Sequence, residues 1–203
     1  MNRTPAYLRP LGSAVLPAAT PPAAPAQPAA WPPPLTLPRG TQRIVVLSNI
    51  TRGFSVQDIP LRPGDFVIHI NHARHRAAAM AVQGTRHALL VRHGKGADPL
   101  GFHWYGPDSY DGFCRVIHVD DTQLCAPLPW YAEFKARGGA SPTTGFIAAN
   151  LCRALFPAVP LLLAGFDPGR HHGTPLWSGH SWILERAWYA EHHFTLIIPQ
   201  NNG

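Results

Sequence analysis

The feature that most constrains the fold is a series of short, nearly uninterrupted apolar runs, each ending on a polar residue or glycine. Arg43-Ile-Val-Val-Leu-Ser-Asn49 is the first. Phe66-Val-Ile-His-Ile70 follows and ends at Asn71, and His87-Ala-Leu-Leu-Val91 ends at Arg92-His93-Gly94. Phe113-Cys-Arg-Val-Ile-His-Val119 ends at Asp120-Asp121, Val159-Pro-Leu-Leu-Leu-Ala164 ends at Gly165, and Phe194-Thr-Leu-Ile-Ile198 closes the series. A strand that is apolar at consecutive positions must be covered on both faces, which is the situation of parallel sheets flanked by helices. The intervening segments fit that reading. Short helices are expected within Arg52–Ile59 and Ala77–Val82, and longer ones over Pro129–Arg137, Gly145–Phe156 and Ser181–His192. In Gly145–Phe156 the apolar positions Phe146, Ile147, Leu151, Leu155 and Phe156 repeat at the helical period. Alternating strands and helices predict one α/β domain with a mainly parallel sheet.

The first 40 residues do not share this pattern. They hold 11 of the 23 prolines, many alanines and no acidic residue. Proline lacks the amide donor and fixes φ, so the run Pro21–Pro34 builds neither helix nor sheet. Residues 1–40 are read as a disordered Pro/Ala-rich tail and residues 41–203 as the domain. The apolar stretch that begins at Leu11 is short and soon reaches proline, so it is read as tail and not as a cleaved leader. No run reaches the roughly 18 apolar residues of a membrane span.

Of the +6 net charge, three arginines belong to the acid-free tail, which leaves the domain 14 basic and 11 acidic residues. That balance suits an anionic ligand. With the basic residues scattered, no nucleic-acid partner is expected. Cys114, Cys125 and Cys152 are odd in number and widely spaced, so they form neither a disulfide framework nor a CxxC metal site, and they read as core thiols of a cytoplasmic protein.

Ligands of open α/β sheets bind beyond the carboxyl ends of the strands. Asn49, Asn71, His93, Asp120 and Gly165 lie just past strand ends and are expected to converge on one rim. The turn Ser141-Pro-Thr-Thr-Gly145 opens a helix. Thr143 or Thr144 can cap it, its free amides and positive dipole end attract phosphate, and Gly145 lets a backbone or ligand come close. Asparagine both donates and accepts, so Asn49 and Asn71 can read ribose hydroxyls or a base edge, although each also suits a turn. His180 precedes a helix and has the pKa range of a general base, while Glu185, five residues on, does not share its helix face. His69, His72 and His75 are a possible metal set. His69 lies in a strand and His72 just past it, so they are expected to point apart, and no metal site is expected. Trp182, Trp188 and Trp177 near this segment could stack on sugars, with core packing the expected use of at least two.

Taken in order, these segments resemble the CMP-sugar-dependent sialyltransferases of the family 29 type, over roughly residues 43–198. The family's long motif, in which one strand ends in asparagine and the next in Asn-x-Ala, is similar to Val45-Val-Leu-Ser-Asn49 and Asp65-Phe-Val-Ile-His-Ile-Asn-His-Ala73. Its short motif is similar to Pro142-Thr-Thr-Gly145 followed by Leu163-Ala-Gly-Phe166, and its final His-x4-Glu motif to His180–Glu185. A further family histidine has His172 or His171 as its counterpart. Two departures stand out: Ser48 replaces the usual glycine before Asn49, and the cysteine pair of the animal enzymes has no clear counterpart.

The resemblance implies a Rossmann-like sheet of the variant GT-A type and an inverting, metal-independent glycosyltransferase, in keeping with the lack of an Asp-x-Asp motif. The donor would be a CMP-activated keto-sugar acid such as sialic acid or Kdo, with no other cofactor. The acceptor would be a hydroxyl of a glycan or lipopolysaccharide-type molecule, compatible with peripheral membrane association. Asn49, Asn71, Thr143, Thr144, Gly145 and Gly165 would hold CMP. His180 would be the base, and His172 or His171 would offset charge on the departing phosphate. The alternatives are a non-catalytic nucleotide- or glycan-binding relative and a histidine-metal hydrolase.

Overall fold

A computed structural model describes residues 35–49, 54–92, 107, 109–119, 128–166 and 180–198. Six strands form one all-parallel sheet: β1 (Arg43–Leu47), β2 (Asp65–Ile70), β3 (Arg86–Arg92), β4 (Arg115–Val119), β5 (Leu161–Ala164) and β6 (Thr195–Ile197). Their spatial order is β4-β3-β2-β1-β5-β6. Four helices accompany them: α1 (Arg76–Met80), α2 (Pro129–Ala136), α3 (Thr144–Leu155) and α4 (Trp182–Glu191). This is a single Rossmann-like α/β domain, as the apolar runs predict. The order reverses beside β1, whose neighbours are β2 and β5, so the topological switch point lies there.

Both faces of β1 and β2 are covered, which is why their apolar residues do not alternate with polar ones. Ile44, Val46, Phe66, Ile68, Ala88 and Leu90 pack on one face against α2, α3 and α4. Val45, Leu47 and Val67 pack on the other with Val56, Ile59 and Ala79. The helix expected within Arg52–Ile59 is reduced to a 3-10 turn, Val56–Asp58, opened by a Ser55/Asp58 capping box. Residues 50–53 lie outside the described residues. Leu35 is buried in the larger core and Leu37 packs on it, so the packed region begins before the expected boundary at residue 41. Most of the tail lies outside the described residues.

α3 is the central helix of the larger core. Every residue from Thr144 to Cys152 is buried. Phe146 stands at the middle of an aromatic cluster, with ring centroids 4.7 Å from Phe134, 5.6 Å from Tyr189 and 5.8 Å from both Trp130 and Trp188. Asn150 satisfies its buried amide between two helices: Nδ2 donates to the Phe146 carbonyl and Oδ1 accepts from Trp188 Nε1, both at 2.9 Å. Trp188 is thus a core residue. Among the described residues no helix is long and apolar enough to cross a membrane. Truncating Phe146 removes the common partner of four rings, so Phe146→Ala is expected to lower stability by about 3–5 kcal/mol, measured by urea unfolding against wild type.

Candidate functional site

The parallel strands bring their carboxyl ends to one rim, and the amino end of α3 meets them there. Thr143, not Thr144, is the N-cap: its Oγ1 accepts from the Phe146 amide at 3.0 Å. The same hydroxyl donates to Glu185 Oε2 at 2.7 Å, and the Thr143 amide donates to Glu185 Oε1, also at 2.7 Å. Glu185 belongs to α4 and is 1% exposed. The anion at this positive helix end is therefore a side chain of the protein. Burial pushes the Glu185 carboxyl up to about 7, opposed by the two Thr143 hydrogen bonds and the nearby Arg92 guanidinium.

His180 lies at the same helix end. It forms an isolated parallel bridge with Ser141, and its Nδ1 is 2.7 Å from the Ser141 carbonyl oxygen. A carbonyl only accepts, so in the neutral ring Nδ1 carries the proton and Nε2 the lone pair. Trp182 packs edge-on against the imidazole at 5.2 Å, and the Ser181 hydroxyl accepts from the Ala140 amide at 2.7 Å. These contacts hold the His180 imidazole beside the start of α3.

Asn71 sits in the left-handed region at φ 47°, which asparagine tolerates better than most residues. Its Oδ1 accepts from the Arg92 amide and its Nδ2 donates to Thr144 Oγ1, each at 3.1 Å. Asn71 thus clamps the ends of β2 and β3 to α3. Asn49 Oδ1 accepts from the Arg74 amide at 3.3 Å and ties the end of β1 to the turn after β2. The two asparagines expected to read a ligand are engaged by the protein at these atoms.

The glycines also have protein neighbours. A Cβ on Gly145 would lie 2.1 Å from Phe166 Cε1, so the close approach expected of Gly145 is made by the Phe166 ring. Gly165 has φ +77°, and a Cβ there would meet Ser48 Oγ at 2.4 Å. The hydroxyl that Ser48 adds at the end of β1 is accommodated by glycine at the end of β5. Thr144 and Gly145 are the first two residues of α3, so their amides have no acceptor within the helix. His171 and His172, with His93, Asp120 and Trp177, lie outside the described residues.

Arg92 was not among the residues singled out from the sequence. It ends β3, donates from Nη1 to the Pro142 carbonyl at 2.7 Å and bonds the Ser141 hydroxyl through Nη2. It supplies a guanidinium at the rim, and its one sequence signal is a basic residue closing an apolar run at the carboxyl end of a strand.

The three histidines considered as metal ligands do not converge. His69 is buried on the face opposite α3, with Nε2 3.1 Å from His87 Nδ1, while His72 is exposed and His75 packs edge-on to Phe54. No three His, Cys, Asp or Glu side chains group as metal ligands among the described residues. Burial lowers His69 to about 3, with the His87, His75 and Arg76 charges adding to it, and lowers His87 to about 4. In the range between those values and 6.5 the unfolded chain binds protons that the folded chain does not, so this pair makes stability rise with pH up to about 6.5.

Glu185 acts with the opposite sign. Its folded pKa lies above its unfolded value near 4.5, so the folded chain holds the extra proton and stability falls as pH rises from 4.5 to 7. The difference between wild type and the near-isosteric Glu185→Gln isolates this contribution from the histidines. Between pH 5 and 7.5 the variant is expected to gain about 2 kcal/mol relative to wild type, measured by denaturant unfolding at both pH values. An unchanged difference would show that Glu185 titrates normally. Comparison of the chain with protein-family models, with curated protein sequences and with solved structures finds no match.

Proposed function

We propose that the protein is an inverting, metal-independent glycosyltransferase that moves a keto-sugar acid, such as sialic acid or Kdo, from a CMP-sugar to a hydroxyl of a glycan or lipopolysaccharide-type acceptor. The observation that carries this reading is the attachment of His180 to the Ser141–Gly145 turn. One histidine nitrogen is committed to the carbonyl of Ser141, two residues before the helix cap Thr143, so in this tautomer the other nitrogen is the basic one. A base and a phosphate site side by side are what a displacement at an anomeric carbon needs. His180 Nε2 would take the proton of the acceptor hydroxyl as it attacks, and the bond to the CMP phosphate would break on the opposite side. Charge would grow on that phosphate in an oxocarbenium-like transition state, where Arg92 and the α3 amino end are placed to offset it. His171 or His172 is proposed to assist the same leaving group. Asn49, Asn71, Thr143, Thr144, Gly145 and Gly165 would act on CMP chiefly by shaping the rim, since their neighbours are protein groups.

The experiment is CMP release from CMP-sialic acid and CMP-Kdo by wild type and His180→Ala, with CMP binding by calorimetry. The variant is expected to lose about 10²–10⁴-fold in turnover and to bind CMP within a few-fold of wild type. A wild type that does not bind CMP overturns the reading. Binding without transfer from any CMP-sugar marks a nucleotide-binding protein instead.

A further inference from the structure

The amino end of α3 already holds a carboxyl group, and any phosphate placed there must share its surroundings. Glu185 accepts from both the amide and the hydroxyl of Thr143. Among the described residues the charged and titratable groups around it are few. Arg92 faces it from β3. Tyr189, one turn further along α4, is fully buried beside it, with a hydroxyl that has no hydrogen-bond partner among the described residues. His180 precedes α4 and is fixed on the Ser141 carbonyl. The first turn of α3 contributes no titratable side chain. Among the described residues, one guanidinium and one helix end therefore serve both Glu185 and a bound phosphate.

The two phosphates of the proposed reaction differ in charge. A CMP-sugar is a phosphodiester with a single negative charge near neutral pH. CMP is a monoester whose second pKa is about 6, so it carries nearly two charges above pH 7. Resting on the glycosyltransferase reading, we infer that Glu185 is a specificity-determining residue that separates donor from product: the CMP dianion binds only with a proton taken up by Glu185, whereas the monoanionic donor binds beside the ionised carboxylate. Transfer beside the ionised carboxylate then leaves the CMP dianion facing a second negative charge with no proton between them, and that repulsion expels it.

The observed geometry accepts both forms. In the neutral form Oε2–H donates to Thr143 Oγ1, the hydroxyl proton of Thr143 turns away, and Oε1 still accepts from the Thr143 amide. Thr143 Oγ1 continues to accept from Phe146, so the helix cap survives. The proton affinity of Glu185 near pH 7 puts the change within reach of neutral pH.

The test is calorimetric titration of the full chain with CMP and with cytidine 5′-methyl phosphate, an unreactive diester, in buffers of different ionisation heat. At pH 7.5 CMP is expected to take up more than half a proton and the diester close to none. Between pH 7 and 8.5 CMP binding is expected to weaken by roughly tenfold, with diester binding changing less than about twofold. Glu185→Gln is expected to bind CMP without the uptake and without the pH dependence. The ³¹P shift of bound CMP in wild type is a second readout that needs no variant. A dianionic shift places the proton on the protein, and a monoanionic shift overturns the inference. CMP binding with a flat profile, or equal uptake by both ligands, also overturns it and leaves the transferase reading standing. Binding of neither ligand overturns both.

Discussion

Glu185 lies in α4, but its carboxylate is held by the residue that caps α3. A buried carboxylate is costly unless its lone pairs find donors, so the pairing fixes the relative phase of the two helices. The residues just before α4 then have little freedom. Ser181 is tied to the Ala140 amide and His180 to the Ser141 carbonyl. The position of the proposed base follows from a carboxylate five residues further on. His180 and Glu185 do not stack on one helix face, and they need not. One lies before the helix and the other within its first turn, and both reach the same short segment, Ser141–Thr143.

The sheet supplies the other half of the site. Reversal of strand order beside β1 leaves the ends of β1 and β5 adjacent. Two glycines allow the parts to close there. Gly165 makes room for Ser48 across the two strand ends, and Gly145 makes room for Phe166 between β5 and α3. Asn71 completes the closure by joining β2, β3 and α3 through one amide. Segments tens of residues apart along the chain thus touch in pairs: 71 with 144, 145 with 166, 48 with 165, and 143 with 185.

The strands were legible because coverage on both faces imposes a local signal, a continuous apolar run, that needs no knowledge of the partner strand. The helix from Thr144 was legible for a similar reason, since its period and its threonine cap are local. What each polar residue does was less legible, because that depends on which distant segment arrives. Asparagine at position 71 suits a left-handed turn and suits a ligand equally, and nothing near it in the chain announces Thr144. Glycine at 145 promises space without saying that Phe166 fills it. Arg92 carries the least local information of all. A basic residue at a strand end is ordinary until the Ser141–Pro142 turn, some fifty residues later, is laid across it.

These contacts define what the rim has left for a ligand. The Thr143 amide and hydroxyl serve Glu185, Thr144 Oγ1 accepts from Asn71, and Asn71 is engaged at both of its polar atoms. Recognition by those side chains would have to break bonds that hold the helix to the sheet, each with a net value of about 1 kcal/mol. Recognition by what surrounds them is less costly. The α3 dipole acts through space, Arg92 carries its charge beside the Ser141–Pro142 turn, and His180 is held on the Ser141 carbonyl at the same helix end. A rim built this way favours charge over hydrogen-bond detail. On the proposed reading it suits a ligand whose phosphate is its fixed feature, and the ionisation of Glu185 then bears on how much negative charge the site can hold.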